Sequence, residues 1–104
     1  MHLDIPHQLG RVEATTRIKR ALIEARAKAG DKVKIDEERW EGDILHFDIT
    51  AESQHIMGTL EVKDREFSLD AKLPFMLRLF EGQIEKAAKE QVQQMLGGAG
   101  SQKG

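Results

Sequence analysis

The sequence predicts an α+β domain: a curved antiparallel sheet with two helices packed on one face, in the order β-α-β-β-β-β-α. Three observations predict it. Apolar residues recur at three- and four-residue steps in two long stretches, near either end of the chain. Between those stretches lie four consecutive segments of strict apolar/polar alternation. The junctions carry glycine, proline or acidic turn chemistry, which punctuates helices and hairpins. Residues 1–96 are expected to form this one domain, and 97–104, rich in glycine, a flexible tail.

The first element is short: Leu3 and Ile5 alternate with His2 and Asp4, and Pro6 ends the strand. From about residue 10 to 29, Ala14, Ile18, Ala21, Leu22, Ala25 and Ala29 make one apolar helix face. Arg17, Arg20, Glu24 and Lys28 fall opposite, and Gly30 supplies the helix stop. Val33 and Ile35 open the second strand. Leu45, Phe47, Ile49 and Ala51 mark the inner face of the third, Ile56, Gly58, Leu60 and Val62 that of the fourth. Phe67, Leu69, Ala71 and Leu73 mark the fifth. Pro74 then starts a second helix, about residues 74–96, with Met76, Phe80, Ile84, Ala88, Val92 and Met95 as its stripe.

Parity sets the expected register. Keeping Val33 and Ile35 on one face with Phe47 and Ile49 calls for an odd loop, supplied by a three-residue Glu41-Gly42-Asp43 turn. Trp40 then faces outward, opposite Ile44. The same reasoning pairs Ile49 with Gly58, His46 with Glu61 and Leu60 with Leu69. Phe47, Leu60 and Leu69 thus share one buried surface roofed by both helices.

The 104 residues include no cysteine, which excludes disulfides and thiolate metal sites. No stretch reaches the ~20 apolar residues of a membrane-spanning helix. A cytoplasmic protein is expected. The net charge of −2 gives no general attraction to nucleic acid, although residues 1–30 sum to +3, residues 31–70 to −7 and residues 71–104 to +2. With little aromatic interleaving, nucleic acid is not an expected partner.

Candidate chemistry is sparse. His46 and Glu61, with His55 at the far end of the same hairpin, offer two imidazoles and a carboxylate on the outer face, but without compact ligand spacing. Ser53 and Ser68 have no histidine placed to activate them, and no glycine loop precedes a helix to hold phosphate. No enzyme activity, metal or cofactor is expected. Two apolar features stand out instead. Phe75, Met76, Leu79 and Phe80, at the start of the second helix, are either core or an exposed contact surface. Gly58 and Ala71 pair on the inner face and thin the sheet there, which leaves room for a small apolar pocket against the second helix. The Trp40/Ile44 pair offers a route to a homo-oligomer.

Several passages resemble one family. Ile5-Pro6-His7-Gln8-Leu9-Gly10 with Glu13-Ala14 and Arg17-Ile18 is similar to the opening of the polyhydroxyalkanoic acid system (granule-region) proteins. Trp40-Glu41-Gly42-Asp43, Leu45, Phe47, Gly58-Thr59-Leu60-Glu61-Val62 and Leu73-Pro74 extend the similarity over about residues 3–96. Glu52-Ser53 departs from the glycine-containing turn associated with the family. The resemblance implies a small bacterial accessory protein of polyhydroxyalkanoate storage, and no catalytic or cofactor-binding residue. The partners it implies are a granule-coat protein, the hydrophobic granule surface or an acyl ligand. The leading expectation is a binding protein working through Phe75, Met76, Leu79 and Phe80. The alternative is a carrier with an acyl-sized pocket beside Gly58. The Pro6–Gly10 passage reads as a structural device.

Overall fold

A computed structural model describes residues 1–98. The element order is β1 (His2–Pro6), α1 (Arg11–Ala29), a 3-10 turn (Gly30–Lys32), β2 (Val33–Glu41), β3 (Ile44–Ala51), β4 (Gln54–Val62), β5 (Glu66–Lys72), α2 (Phe75–Arg78) and α3 (Glu81–Gly98). The five strands form one antiparallel sheet in the order β1-β5-β4-β3-β2. The last four are a meander, and β1 joins it beside β5, with Leu3 facing Leu69 and Ile5 facing Phe67. β1 and β2 are therefore opposite edges, and α1 must carry the chain across the sheet. Its 19 residues span roughly 28 Å, more than the ~19 Å between edge strands of a five-stranded sheet.

Both helices lie on one face, as the periodicity predicts. Leu3, Ile5, Val62 and Phe67 from the sheet are buried together with Ala14 and Ile18 of α1, and Ala88, Val92, Met95 and Leu96 of α3 pack against them. Phe47, Leu60 and Leu69 share this inner face. The Pro6–Gly10 passage is a clasp. His7 is buried, its Nε2 donates to Lys63 O at 2.9 Å, its Nδ1 accepts from Leu9 N at 3.1 Å, and its ring lies 4.7 Å from that of Phe67.

Several details differ from expectation. The β2–β3 turn has two residues, not three: Glu41 pairs with Ile44, and Trp40 with Leu45. Gly42 takes φ 60°, as the first central position of a II′ turn requires. Parity is settled by a β-bulge between Ile35 and Glu37 instead of by an odd loop. Val33 and Ile35 face inward before the bulge, and Glu38 and Trp40 after it. Trp40 is thus a half-buried neighbour of the core, with Lys19 Nζ 4.9 Å from its ring centroid, and is not an outward self-association site.

The β3–β4 hairpin turns on Glu52 and Ser53, both at positive φ (50° and 67°) without a glycine. Its register is two residues from the expected one: Ile49 faces Ile56, Phe47 faces Gly58 and His46 faces Thr59. A two-residue shift preserves which side each residue faces, so the inner face survives. The Leu60–Leu69 and Gly58–Ala71 pairs stand as expected.

The second helix is broken. α2 is a single turn after Pro74, and α3 starts afresh at Glu81, after Leu79 and Phe80 and one residue before Gly82, a weak helix former. α3 packs over the sheet through Ala88, Val92, Met95 and Leu96. α3 continues to Gly98, two residues into the expected tail; residues 99–104 lie outside the described residues.

Candidate functional site

The core fills one side of the sheet more completely than the other. Over β1 and β5 the inner residues Leu3, Ile5, Phe67 and Ala71 are buried, whereas over β2 and β3 Val33, Ile35, Phe47 and Ile49 remain partly accessible. Between that half of the sheet and the helices lies a cavity of about 400 Å³. Its floor is sheet: Ile5, Leu45, Leu60, Phe67, Leu69 and the β2–β3 aliphatics. Its roof is Ile18, Leu22, Ala25 and Ala29 of α1 with Ala88 and Val92 of α3. The alanines of the roof leave the space unfilled. The size lies within the range of small-molecule sites, which are apolar with a few placed polar groups.

Polar groups line only the rim: Arg26 near the end of α1 with Glu37 and Glu38 of β2. Arg26 Nη2 donates to Glu38 Oε1, and Glu37 is taken by Arg39 Nε at 3.1 Å. The bulge brings Glu38 to this rim, since without it the side chain would face outward. Gly58 and Ala71, beside which a pocket was expected, do not line this cavity; both line a separate open groove of about 550 Å³ with His46, Asp48 and Met57. A Cβ at Gly58 would meet Asp70 O at 2.0 Å and Ala71 Cα at 2.8 Å, so the missing side chain is explained by close approach of β5.

Phe75, Met76, Leu79 and Phe80 are exposed, at 69, 58, 65 and 52%. The alternative left open by their pattern resolves toward solvent.

The outer face is polar and holds clusters that sequence reasoning missed. Ser68 Oγ donates to Asp4, Asp4 Oδ2 lies 3.0 Å from His2 Nε2, and His2 Nδ1 lies 2.7 Å from Asp70 Oδ1. The hydrogen bonds to Asp70 and Asp4 raise the His2 pKa above its ordinary value, and those from Ser68 and His2 lower that of Asp4. The signal was the outward His-x-Asp of β1 and Ser-x-Asp of β5; pairing of those strands was needed to join them. Ser68 donates to a carboxylate, so this is not a serine–histidine nucleophile arrangement.

Asp36, Asp48 and His55, from three neighbouring strands, each bring one ligand-type atom within 4.8 Å of the others. His55 Nε2 lies 2.6 Å from Asp48 Oδ1, a contact without hydrogen-bond alignment, and 3.4 Å from Asp36 Oδ2. The hydrogen bond from Thr50 Oγ1, 2.6 Å long, lowers the Asp36 pKa, with Lys34 adding to it. The other expected pair is not formed: His46 bonds to Glu41 Oε1 at 3.0 Å, while Glu61 faces Ile44.

Fold and site together define an α+β protein with an aliphatic cavity between sheet and helices. The chain belongs to the polyhydroxyalkanoic acid system proteins: the family model described as "Putative polyhydroxyalkanoic acid system protein" matches residues 1–96. No curated protein and no solved structure gives a significant match. Among the described residues no helix is long and apolar enough to cross a membrane.

Proposed function

We propose that this protein is a non-catalytic accessory of the polyhydroxyalkanoate system that binds an acyl-type chain in the cavity between its sheet and helices. The observation behind this reading is the cavity itself, about 400 Å³ with aliphatic and aromatic walls and charge only at the rim. Transfer of a chain from water to such walls stabilises by roughly 25 cal/mol for each Å² of apolar surface removed. A ligand bound only to the native state raises its melting temperature, and at a hundredfold excess over Kd the gain is about 2.7 kcal/mol.

The test is a thermal-shift titration with decanoate and 3-hydroxydecanoate against the wild type and Ala25→Phe. Ala25 is an exposed residue of the α1 roof, so a larger side chain there occupies the cavity without displacing core. The expected result is a dose-dependent rise for the wild type that Ala25→Phe removes. A flat response of the wild type to both compounds overturns the reading.

The exposed Phe75, Met76, Leu79 and Phe80 favour a second reading, contact with the hydrophobic granule surface or a coat protein, in the bacterial cytoplasm. Four such side chains together form the kind of patch a monomer keeps for a partner. The double variant Phe75→Ser/Leu79→Ser is expected to lose sedimentation with isolated granules while keeping stability within about 1 kcal/mol. A variant that unfolds, or one that still sediments with granules, removes this second reading.

A further inference from the structure

We infer that the cavity is selective for chains ending in a carboxylate, and that Arg26 is the group that receives it, in exchange for Glu38. The inference rests on the acyl-chain reading and adds to it the ligand's head group and its orientation.

Arg26 is the only cation among the residues lining the cavity. It stands at the open end, near the last turn of α1. The most buried lining residues, Ile5, Leu45 and Phe67, stand at the closed end. A chain entering tail first therefore ends with its head group at Arg26. A guanidinium presents five N–H donors in a planar fork suited to two carboxylate oxygens. Within the protein only Nη2 is engaged, by one oxygen of Glu38, so the fork is not filled among the described residues.

The carboxylates beside it are both paired while the cavity is empty. Glu37 is neutralised from the outer face by Arg39, and Glu38 is neutralised by Arg26 itself. When a ligand carboxylate takes the fork, Glu38, with its side chain already 31% exposed, is released into water, which screens the charge it no longer shares with Arg26. The pair is therefore a latch: Glu38 holds the place of the ligand's own carboxylate while the cavity is empty. The bulge at Asp36 makes this possible, since it places Glu38 on the inner face opposite α1.

Decanoate and its uncharged counterpart decan-1-ol, each titrated calorimetrically below micelle formation, test the inference. The wild type is expected to bind decanoate about tenfold more tightly than decanol, the worth of one charge-assisted fork contact after exchange with Glu38. Arg26→Gln is expected to bring that ratio to about one with decanol affinity unchanged. Glu38→Gln, which removes the competitor, is expected to widen it. Arg26 has a 47% exposed side chain, so its variant should keep the wild-type circular dichroism and melting curve. If that variant fails to fold, Glu38→Gln alone decides: an unwidened ratio overturns the inference. Equal binding of acid and alcohol by the wild type overturns it and leaves the acyl-chain reading standing. Failure of both ligands to bind, or a stable dimer in sedimentation that neither ligand dissociates, removes both.

Discussion

Gly58→Ala is the substitution whose effect the structure specifies most sharply. A Cβ built there lies 2.0 Å from the Asp70 carbonyl oxygen and 2.8 Å from Ala71 Cα, both backbone atoms of β5. Ordinary contact begins near 3.4 Å, so β4 and β5 must separate locally by about 1.4 Å. That is close to a third of the ~4.8 Å between paired strands. It stretches the hydrogen bonds on either side of the Gly58–Ala71 pair past useful length. Two ladder bonds at about 1 kcal/mol each, with overpacking strain of about 1–2 kcal/mol, give an expected loss of roughly 3 kcal/mol. For a domain of this size that corresponds to a fall in Tm of roughly 10–25 °C. Gly82→Ala is the control. It lies in α3 with nothing within 4 Å of its added methyl, and should gain a few tenths to about 1 kcal/mol. Urea denaturation followed by far-ultraviolet circular dichroism measures both. A Gly58→Ala protein that melts within about 3 °C of the wild type would falsify the close approach of β5 inferred here.

Two further outcomes follow from the same geometry. Trp40→Ser should cost about 2 kcal/mol, because the ring is half-buried against the core and stacked under Lys19, and should leave the sedimentation coefficient unchanged. A change in sedimentation without a loss of stability would return the ring to the outer face. The His2–Asp4–Asp70 cluster should make stability depend on pH in a defined window. A raised His2 pKa contributes below 6.5 and fades as pH rises through the folded value; a lowered Asp4 pKa contributes above 3.8 and fades as pH falls through its folded value. The difference in Tm between wild type and His2→Gln should therefore be largest between pH 3.8 and 6.5. A difference that grows on the alkaline side contradicts the assignment.

The site was only partly legible in the sequence. That an acyl-sized pocket would lie between sheet and helices was an available expectation, but its position was tied to the small pair Gly58 and Ala71. Periodicity says which side a residue faces; it does not say how far a neighbouring backbone approaches. Here the strands close up at Gly58, and the space opens under the alanines of α1 instead. The rim was hidden for a related reason. Glu38 belongs to the inner face only because one extra residue is inserted into β2, and no feature of Ile35-Asp36-Glu37-Glu38 taken alone announces the insertion. Phe75 to Phe80 read as one helix with apolar residues nearly all round, and that pattern does not say which of them the sheet covers; the structure leaves Phe75, Met76, Leu79 and Phe80 exposed.

Alternation and helical spacing by themselves determined which residues of α1, β1, β3, β4 and β5 form the inner face, because side chains of a pleated strand must alternate and the stripe of a helix packed on the sheet must be buried. They survived a register error in the β3–β4 hairpin for that reason, a shift of two residues being invisible to a period of two. Tertiary structure alone decided the partner of β1, the bulge at Asp36, the break before α3 and the volume left between roof and floor. Each of these depends on distances between segments remote in the chain, where packing and backbone hydrogen bonding outweigh local preference.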